Sequence, residues 1–153
     1  MITSWRIVLR EYAGAAFDGE GARLYGGRWN SAGVRVIYTS SSAALAALEL
    51  LVRVKRREPL RNYILFACSY DEAIVESVDR KALPPDWRSH PAPPSLQNIG
   101  DTWAREGRSA VLQVPSAVIE TESNYLLNPE HADFGKIAIA DPVPFALDLR
   151  LLG

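Results

Sequence analysis

Four side chains between Gly26 and Val54 sit among neighbours whose chemistry they do not share. Arg28 and Trp29 directly follow Gly26 and Gly27, Tyr38 ends an apolar run, and Glu49 lies in a segment otherwise made of Ala and Leu. Glu49 is the sharpest case. If Leu45, Leu48 and Val52 mark the buried face of a helix, the helical wheel sets the carboxylate between them. Dehydrating it there is costly unless it is paired or hydrogen-bonded. Two readings stand level: a functional carboxylate, or a rim ion pair with Arg53 worth only about 0.3–0.5 kcal/mol. Arg28, carried on a glycine turn, can offer its planar fork to a phosphate or carboxylate; the plainer reading is a surface guanidinium stacked on Trp29. The Tyr38 ring falls near the start of the Glu49 helix, or is an ordinary core tyrosine. Ser116, after Pro115, has no histidine close in sequence to form a triad, and alone it reads as a strand-end serine.

These residues need elements to hold them. Trp5 to Arg10 alternates apolar and polar and predicts a first strand carrying Arg6. The Gly- and Ala-rich stretch from Tyr12 to Gly27 keeps neither period and predicts a loop; Gly19 and Gly21 make a poor dinucleotide fingerprint. Val34 to Thr39 predicts a strand, and one of Ser40, Ser41 and Ser42 should cap a helix from Ala43 to about Lys55. That helix stops near Pro59, after the basic run Lys55, Arg56 and Arg57. Asn62 to Tyr70 reads as a central strand with Cys68 as a small core residue. Ala73 to Val78 is a short apolar stretch, and Leu83 to Pro94 a proline-rich loop with His90 as a surface turn residue. Ser95 to Arg105 carries Leu96, Ile99 and Trp103 at helical spacing and predicts a helix of structural purpose ending before Gly107. Ala110 to Val114 is a strand broken by Pro115, with Ser116 to Ile119 continuing extended. Asn124 to His131 reads as turn-rich, and Lys136 to Ala140 and Phe145 to Leu149 supply the last strands. Six or seven short strands with two or three helices give an α+β fold with a small mixed sheet.

Composition narrows the function. The 153 residues suit one domain spanning 1–153, with 48% hydrophobic and 23% charged residues. A net charge of -1 gives no strong field toward nucleic acid or an anionic membrane. No signal-peptide pattern or membrane-length run is present, which predicts a cytoplasmic protein. The single cysteine and two separated histidines offer no zinc-type cluster, so no metal is expected except one held by carboxylates alone.

Taken in order, Trp5-Arg6-Ile7, Gly27-Arg28-Trp29-Asn30, Val36-Ile37-Tyr38, the Leu45 to Leu51 helix with Glu49, Val114-Pro115-Ser116-Ala117 and Asn124-Tyr125-Leu126-Leu127-Asn128-Pro129 cover nearly the whole chain. Each is short, but the ordered set resembles the RES-domain family, toxin components of a bacterial toxin–antitoxin type named for an arginine, a glutamate and a serine. The resemblance implies a fold similar to ADP-ribosyltransferases and an enzyme that consumes NAD as substrate. Arg28, Glu49 and Ser116 would be the name-giving catalytic residues. Tyr38 would lie in the nicotinamide pocket, with Arg6, Arg28 and Asn124 also toward NAD. ADP-ribose would pass to water, phosphate or a protein target. The partner implied is an antitoxin with a helix-turn-helix portion that blocks the site; exposed strand edges leave room for a homodimer within that complex.

The residue types agree with that chemistry. Arginine forks suit a pyrophosphate, and an aromatic face suits the flat nicotinamide cation. A preorganised carboxylate stabilises the positive charge that develops as the nicotinamide–ribose bond breaks. Nicotinamide leaves neutral, so no general acid is required, and Ser116 is assigned to orientation. Two other classes stay open at this level: a module that binds NAD or a protein without catalysis, and an RNA-cleaving toxin, which the near-neutral charge and lack of a positioned histidine disfavour.

Overall fold

The computed structural model describes residues 1–54 and 62–152. Over these described residues it is a mixed α/β fold with eight strands in one sheet and three α-helices. The strands are β1 (Ile2–Leu9), β2 (Ile37–Ser40), β3 (Tyr63–Tyr70), β4 (Val75–Ser77), β5 (Val111–Pro115), β6 (Ser123–Leu127), β7 (Ala138–Ile139) and β8 (Val143–Phe145). The helices are α1 (Glu20–Tyr25), α2 (Ala43–Leu51) and α3 (Pro94–Glu106). The sheet order is β4-β5-β6-β2-β1-β3-β7, with β8 also on β3, and only β4 and β5 run parallel.

The sheet has a seam in the middle. β1 pairs with β3 from Ile2 opposite Tyr70 to Leu9 opposite Tyr63, and β2 pairs with β6 from Ile37 opposite Leu127 to Ser40 opposite Asn124. β1 and β2 share a single registered pair, Trp5 opposite Ser40. Each side of the seam has its own helix. Ala46, Ala47 and Leu50 of α2 pack on Ile7 and Tyr63, while Leu96 and Trp103 of α3 pack on Leu112, Val114 and Leu126. Because successive strand residues point to opposite faces, Val111, Tyr125 and Leu127 turn the other way and join Ile37, Cys68 and Tyr70 in a second cluster. Cys68 is fully buried, as its apolar surroundings in the sequence lead one to expect.

The local chemistry explains most boundaries. Ser42 caps α2, its Oγ accepting from the Leu45 amide at 3.0 Å. α3 begins on Pro94 and stops at Gly107, whose left-handed conformation (φ 61°) ends the helix. Several expectations are corrected. The stretch from Tyr12 to Gly27 contains α1, started by an Asp18 carboxylate that accepts from the Glu20 amide and stabilised by the Glu20–Arg23 ion pair. Asn124 to Leu127 belongs to a strand with ladders on both sides, which outweigh the poor strand propensity of asparagine. Ser116 to Ile119 is a turn, not extended chain: the Ser116 Oγ accepts from the amides of Val118 and Ile119 and curls the backbone. The helix carrying Glu49 ends at Leu51, and the proposed end at Lys55 and Pro59 lies outside the described residues. Val52 is 64% exposed, so the buried face of α2 is Leu45, Ala46, Ala47 and Leu50.

Candidate functional site

Moving that face by one position puts Glu49 at the rim of α2, half-buried, where its carboxylate looks across to β5 and β6. Glu49 Oε1 accepts from Ser116 Oγ at 2.7 Å and from Asn124 Nδ2 at 2.8 Å. Hydrogen bonds to a charged group of this kind contribute about 1.5–3 kcal/mol each. They are needed, because a carboxylate in the last turn of a helix meets the negative end of the macrodipole. Among the described residues, Oε2 takes no hydrogen bond. Arg53 does not form the rim ion pair; its Nε donates to the Glu49 backbone carbonyl at 3.1 Å instead.

Ser116 is fully buried and fully used: its hydroxyl donates to Glu49 and accepts from two amides. Asn124 stands opposite Ser40 in the β2–β6 ladder, and Ser40 Oγ donates to Asn124 Oδ1 at 2.8 Å. Ser40, Asn124, Glu49 and Ser116 therefore form one connected set drawn from β2, β6, α2 and the turn after β5.

Tyr38 lies two residues before Ser40 on the same face of β2. Its hydroxyl donates to Asn30 Oδ1 at 2.6 Å and accepts from the Trp29 amide at 3.0 Å. Burial pushes the phenol well above its ordinary value, against the smaller opposing effect of the Trp29 hydrogen bond. Tyr38 thus props the turn that carries Arg28. Gly27 is required there, since a Cβ would fall 2.6 Å from the Tyr38 hydroxyl. From the other side α3 clamps the same turn. Gln97 Nε2 donates to the carbonyls of Gly27 and Asn30, the Asp101 carboxylate accepts from the Ser31 amide and hydroxyl, and Gly100 lies directly against the Trp29 backbone.

Arg28 does not stack on Trp29, whose ring is buried in the α3 cluster. Its NH1 donates to the carbonyls of Trp87 (3.0 Å) and Ser89 (2.8 Å), leaving Nε and NH2 without protein acceptors among the described residues. Arg6 lies on the face of β1 opposite Ile7. Its Nε donates to the Ala16 carbonyl at 2.6 Å and its NH1 crosses the seam to the Tyr38 carbonyl at 3.0 Å. Burial, with the charge of Arg53 adding to it, lowers its guanidinium to about 10.

The structure joins Glu49, Ser116 and Asn124 directly, ties Arg6 to the Tyr38 carbonyl and sets Arg28 on the turn that the Tyr38 hydroxyl holds, with no hydrogen bond or ion pair from either arginine to Glu49. Two parts of this arrangement carry no distinguishing sequence signal: Ser40, one of three adjacent serines, and the loop from Pro84 to His90. In that loop the carbonyls flanking Arg88 hold Arg28, while Arg88 itself donates to the Ala117 carbonyl and the Glu120 carboxylate. It links the Arg28 turn to the Ser116 turn, a role no local pattern signals. Among the described residues no three His, Cys, Asp or Glu side chains cluster as metal ligands, and no helix is long and apolar enough to cross a membrane.

A family model described as the RES domain matches residues 3–148. The chain is 39% identical over 148 residues to a protein named Toxin Res from Yersinia enterocolitica, covering 96% of this chain and 97% of that one. It is 39% identical over 139 residues to the Prs ADP-ribosylating toxin of a Sphingobium species, covering 87% and 86%. In fold it is similar to a chain of the M. tuberculosis MbcT–MbcA toxin–antitoxin complex, with a TM-score of 0.77 and 19% identity over 95% of this chain and 84% of that one. A domain match over nearly the full length and relatives at this identity lead to one assignment: the chain belongs to the RES domain family.

Proposed function

We propose that this chain, as a single domain over 1–153, is the toxin of a bacterial toxin–antitoxin pair and cleaves NAD at the nicotinamide–ribose bond. The observation that carries the reading is the state of Glu49: one carboxylate oxygen held by two side-chain donors, the other without a protein partner. Such a group is fixed in place before substrate arrives and keeps a negative charge free to face positive charge developing at a sugar carbon. Support also comes from the Sphingobium relative, whose name states ADP-ribosylation.

The residues present fit NAD. Arg28 keeps donors free for the pyrophosphate and Arg6 keeps NH2, so both can hold it by charge and hydrogen bond. Tyr38 offers its ring to nicotinamide. Bound NAD supplies a leaving group that departs neutral, so the chain need not deliver a proton. Glu49 is the catalytic residue in this reading, and Ser116 and Asn124 hold it. ADP-ribose passes to water, phosphate or a protein. The MbcT neighbour was solved as a toxin–antitoxin complex, and for this chain we extend that to an antitoxin with a helix-turn-helix portion that covers the site in the cytoplasm.

The test is direct. Purified protein incubated with NAD should release free nicotinamide, and Glu49→Gln should lower the rate by about 100-fold or more, the scale of losing a major electrostatic contributor. Mass spectrometry of the products with and without phosphate identifies the acceptor. A wild type as inert as Glu49→Gln would overturn the enzymatic reading, and NAD that raised the melting temperature while staying intact would replace it with binding alone.

A further inference from the structure

We infer that Ser40 is a positioning residue that acts through Asn124 to hold the Glu49 carboxylate in its working orientation. The inference rests on the role proposed above for Glu49. An asparagine amide has two unlike ends, and only one suits a carboxylate. With Nδ2 toward Glu49 the contact is a charge-assisted hydrogen bond at 2.8 Å; turned by half a rotation, the same amide would set a carbonyl oxygen against a carboxylate oxygen. Ser40 Oγ donates to the far end, Oδ1, at 2.8 Å. That bond pins the amide plane and, by drawing charge toward Oδ1, makes Nδ2–H a better donor to Glu49.

Placement adds to this. Ser40 is 4% exposed, at the last position of β2 and directly opposite Asn124 in the ladder. Two residues later Ser42 caps α2, and the Ser41 amide donates to the Ser123 carbonyl at 3.0 Å. The segment from Ser40 to Glu49 therefore closes a ring: strand end, helix cap, helix, Glu49, Asn124 and back to Ser40. Both ends of one amide are held by one stretch of chain. Ser116 is the second donor on Oε1 and is anchored separately by its own turn, so it does not replace this path.

The experiment uses the full chain and two readouts. For nicotinamide release from NAD, Ser40→Ala should lower kcat about tenfold, the size of one lost hydrogen bond to a polar network, with KM little changed and the thermal midpoint close to wild type. Ser40→Thr, which keeps the hydroxyl, should recover most of the rate, and Ser40→Cys should fall between. In an Asn124→Ala background, Ser40→Ala should cost nothing further, because the path is already cut. Additive losses, or an unchanged kcat in Ser40→Ala, would overturn the inference. The second readout is independent of turnover. In ¹⁵N-labelled protein the Asn124 side-chain amide pair, identified by its disappearance in Asn124→Ala, should shift and exchange faster with water in Ser40→Ala. An unmoved pair refutes the positioning; a shifted pair in a wild type that releases no nicotinamide supports it while the NAD reading fails.

Discussion

At the residue scale, the buried ionisable groups set how the protein responds to alkali. Burial raises Cys68 from 9.0 to about 12 and raises Tyr38, Tyr70 and Tyr125 above 10.0. Each of these acids holds its proton more tightly folded than unfolded. The stability they contribute is therefore complete below the ordinary value and declines as pH rises past it. Arg6 opposes them: lowered from 12.5 to about 10, it binds its proton less tightly when folded, so its contribution improves as pH rises through that window. Four groups against one give a net loss. Stability measured by urea denaturation is expected to fall as pH climbs from about 9, with Cys68 first, and Cys68→Ala should delay the onset to about 10, where the tyrosines begin. In the native protein the Cys68 thiol should stay silent to thiol reagents at pH 8. Rapid labelling there would contradict its burial.

At the element scale, the two longer α-helices were legible and much of what they hold was not. α3 could be read from Leu96, Ile99 and Trp103 and from Gly107 at its end, but its purpose could not. Its polar face, which in a sequence looks like a solvated side, clamps the Arg28 turn through Gln97 and Asp101. α2 was legible from its serine cap and its Ala and Leu content. The choice of Val52 as a buried position failed because Val52 lies on the side of the wheel away from Ala46, Ala47 and Leu50, the residues that meet Ile7 and Tyr63. β6 was obscured by Asn124 within it and by Asn128 and Pro129 just after it, turn-forming residues beside or inside a strand held by two ladders. Ser40, Asn124 and Glu49 meet only through the long-range β2–β6 register, which no local pattern encodes. The α3 clamp makes a sharp prediction. A Cβ on Gly100 would lie 1.8 Å from the Trp29 carbonyl oxygen, a backbone atom that cannot step aside cheaply. Gly100→Ala should cost about 3 kcal/mol or more by denaturant unfolding, beyond the usual range of overpacking. Nicotinamide release should fall with it, since the turn carrying Arg28 moves. A Gly100→Ala protein as stable as wild type would show that the close approach does not exist.

At the scale of the whole molecule, the site lies along the seam of the sheet. α2 is packed on the β1–β3 side, whereas Ser116 and Asn124 belong to the β5–β6 side, so the Glu49 side chain spans the two. Across the β1–β2 seam the ladder supplies Trp5 opposite Ser40, and side chains add the Arg6 bond to the Tyr38 carbonyl and the Thr39 bond to the Ser4 hydroxyl. Glu49 therefore has a mechanical task as well as a chemical one, and two substitutions separate them. Glu49→Gln keeps an acceptor oxygen for both Ser116 and Asn124 and should retain stability to within about 1 kcal/mol while losing activity. Glu49→Ala removes the acceptor and leaves the buried Ser116 hydroxyl without its bond. It should lose about 1–3 kcal/mol, with hydrogen exchange quickening at Ser116, Val118 and the α2 amides while Leu112 and Leu126, deep in the α3 cluster, stay protected. If both variants were equally stable, the carboxylate would not be a tie across the seam, and its two donors would serve substrate chemistry alone.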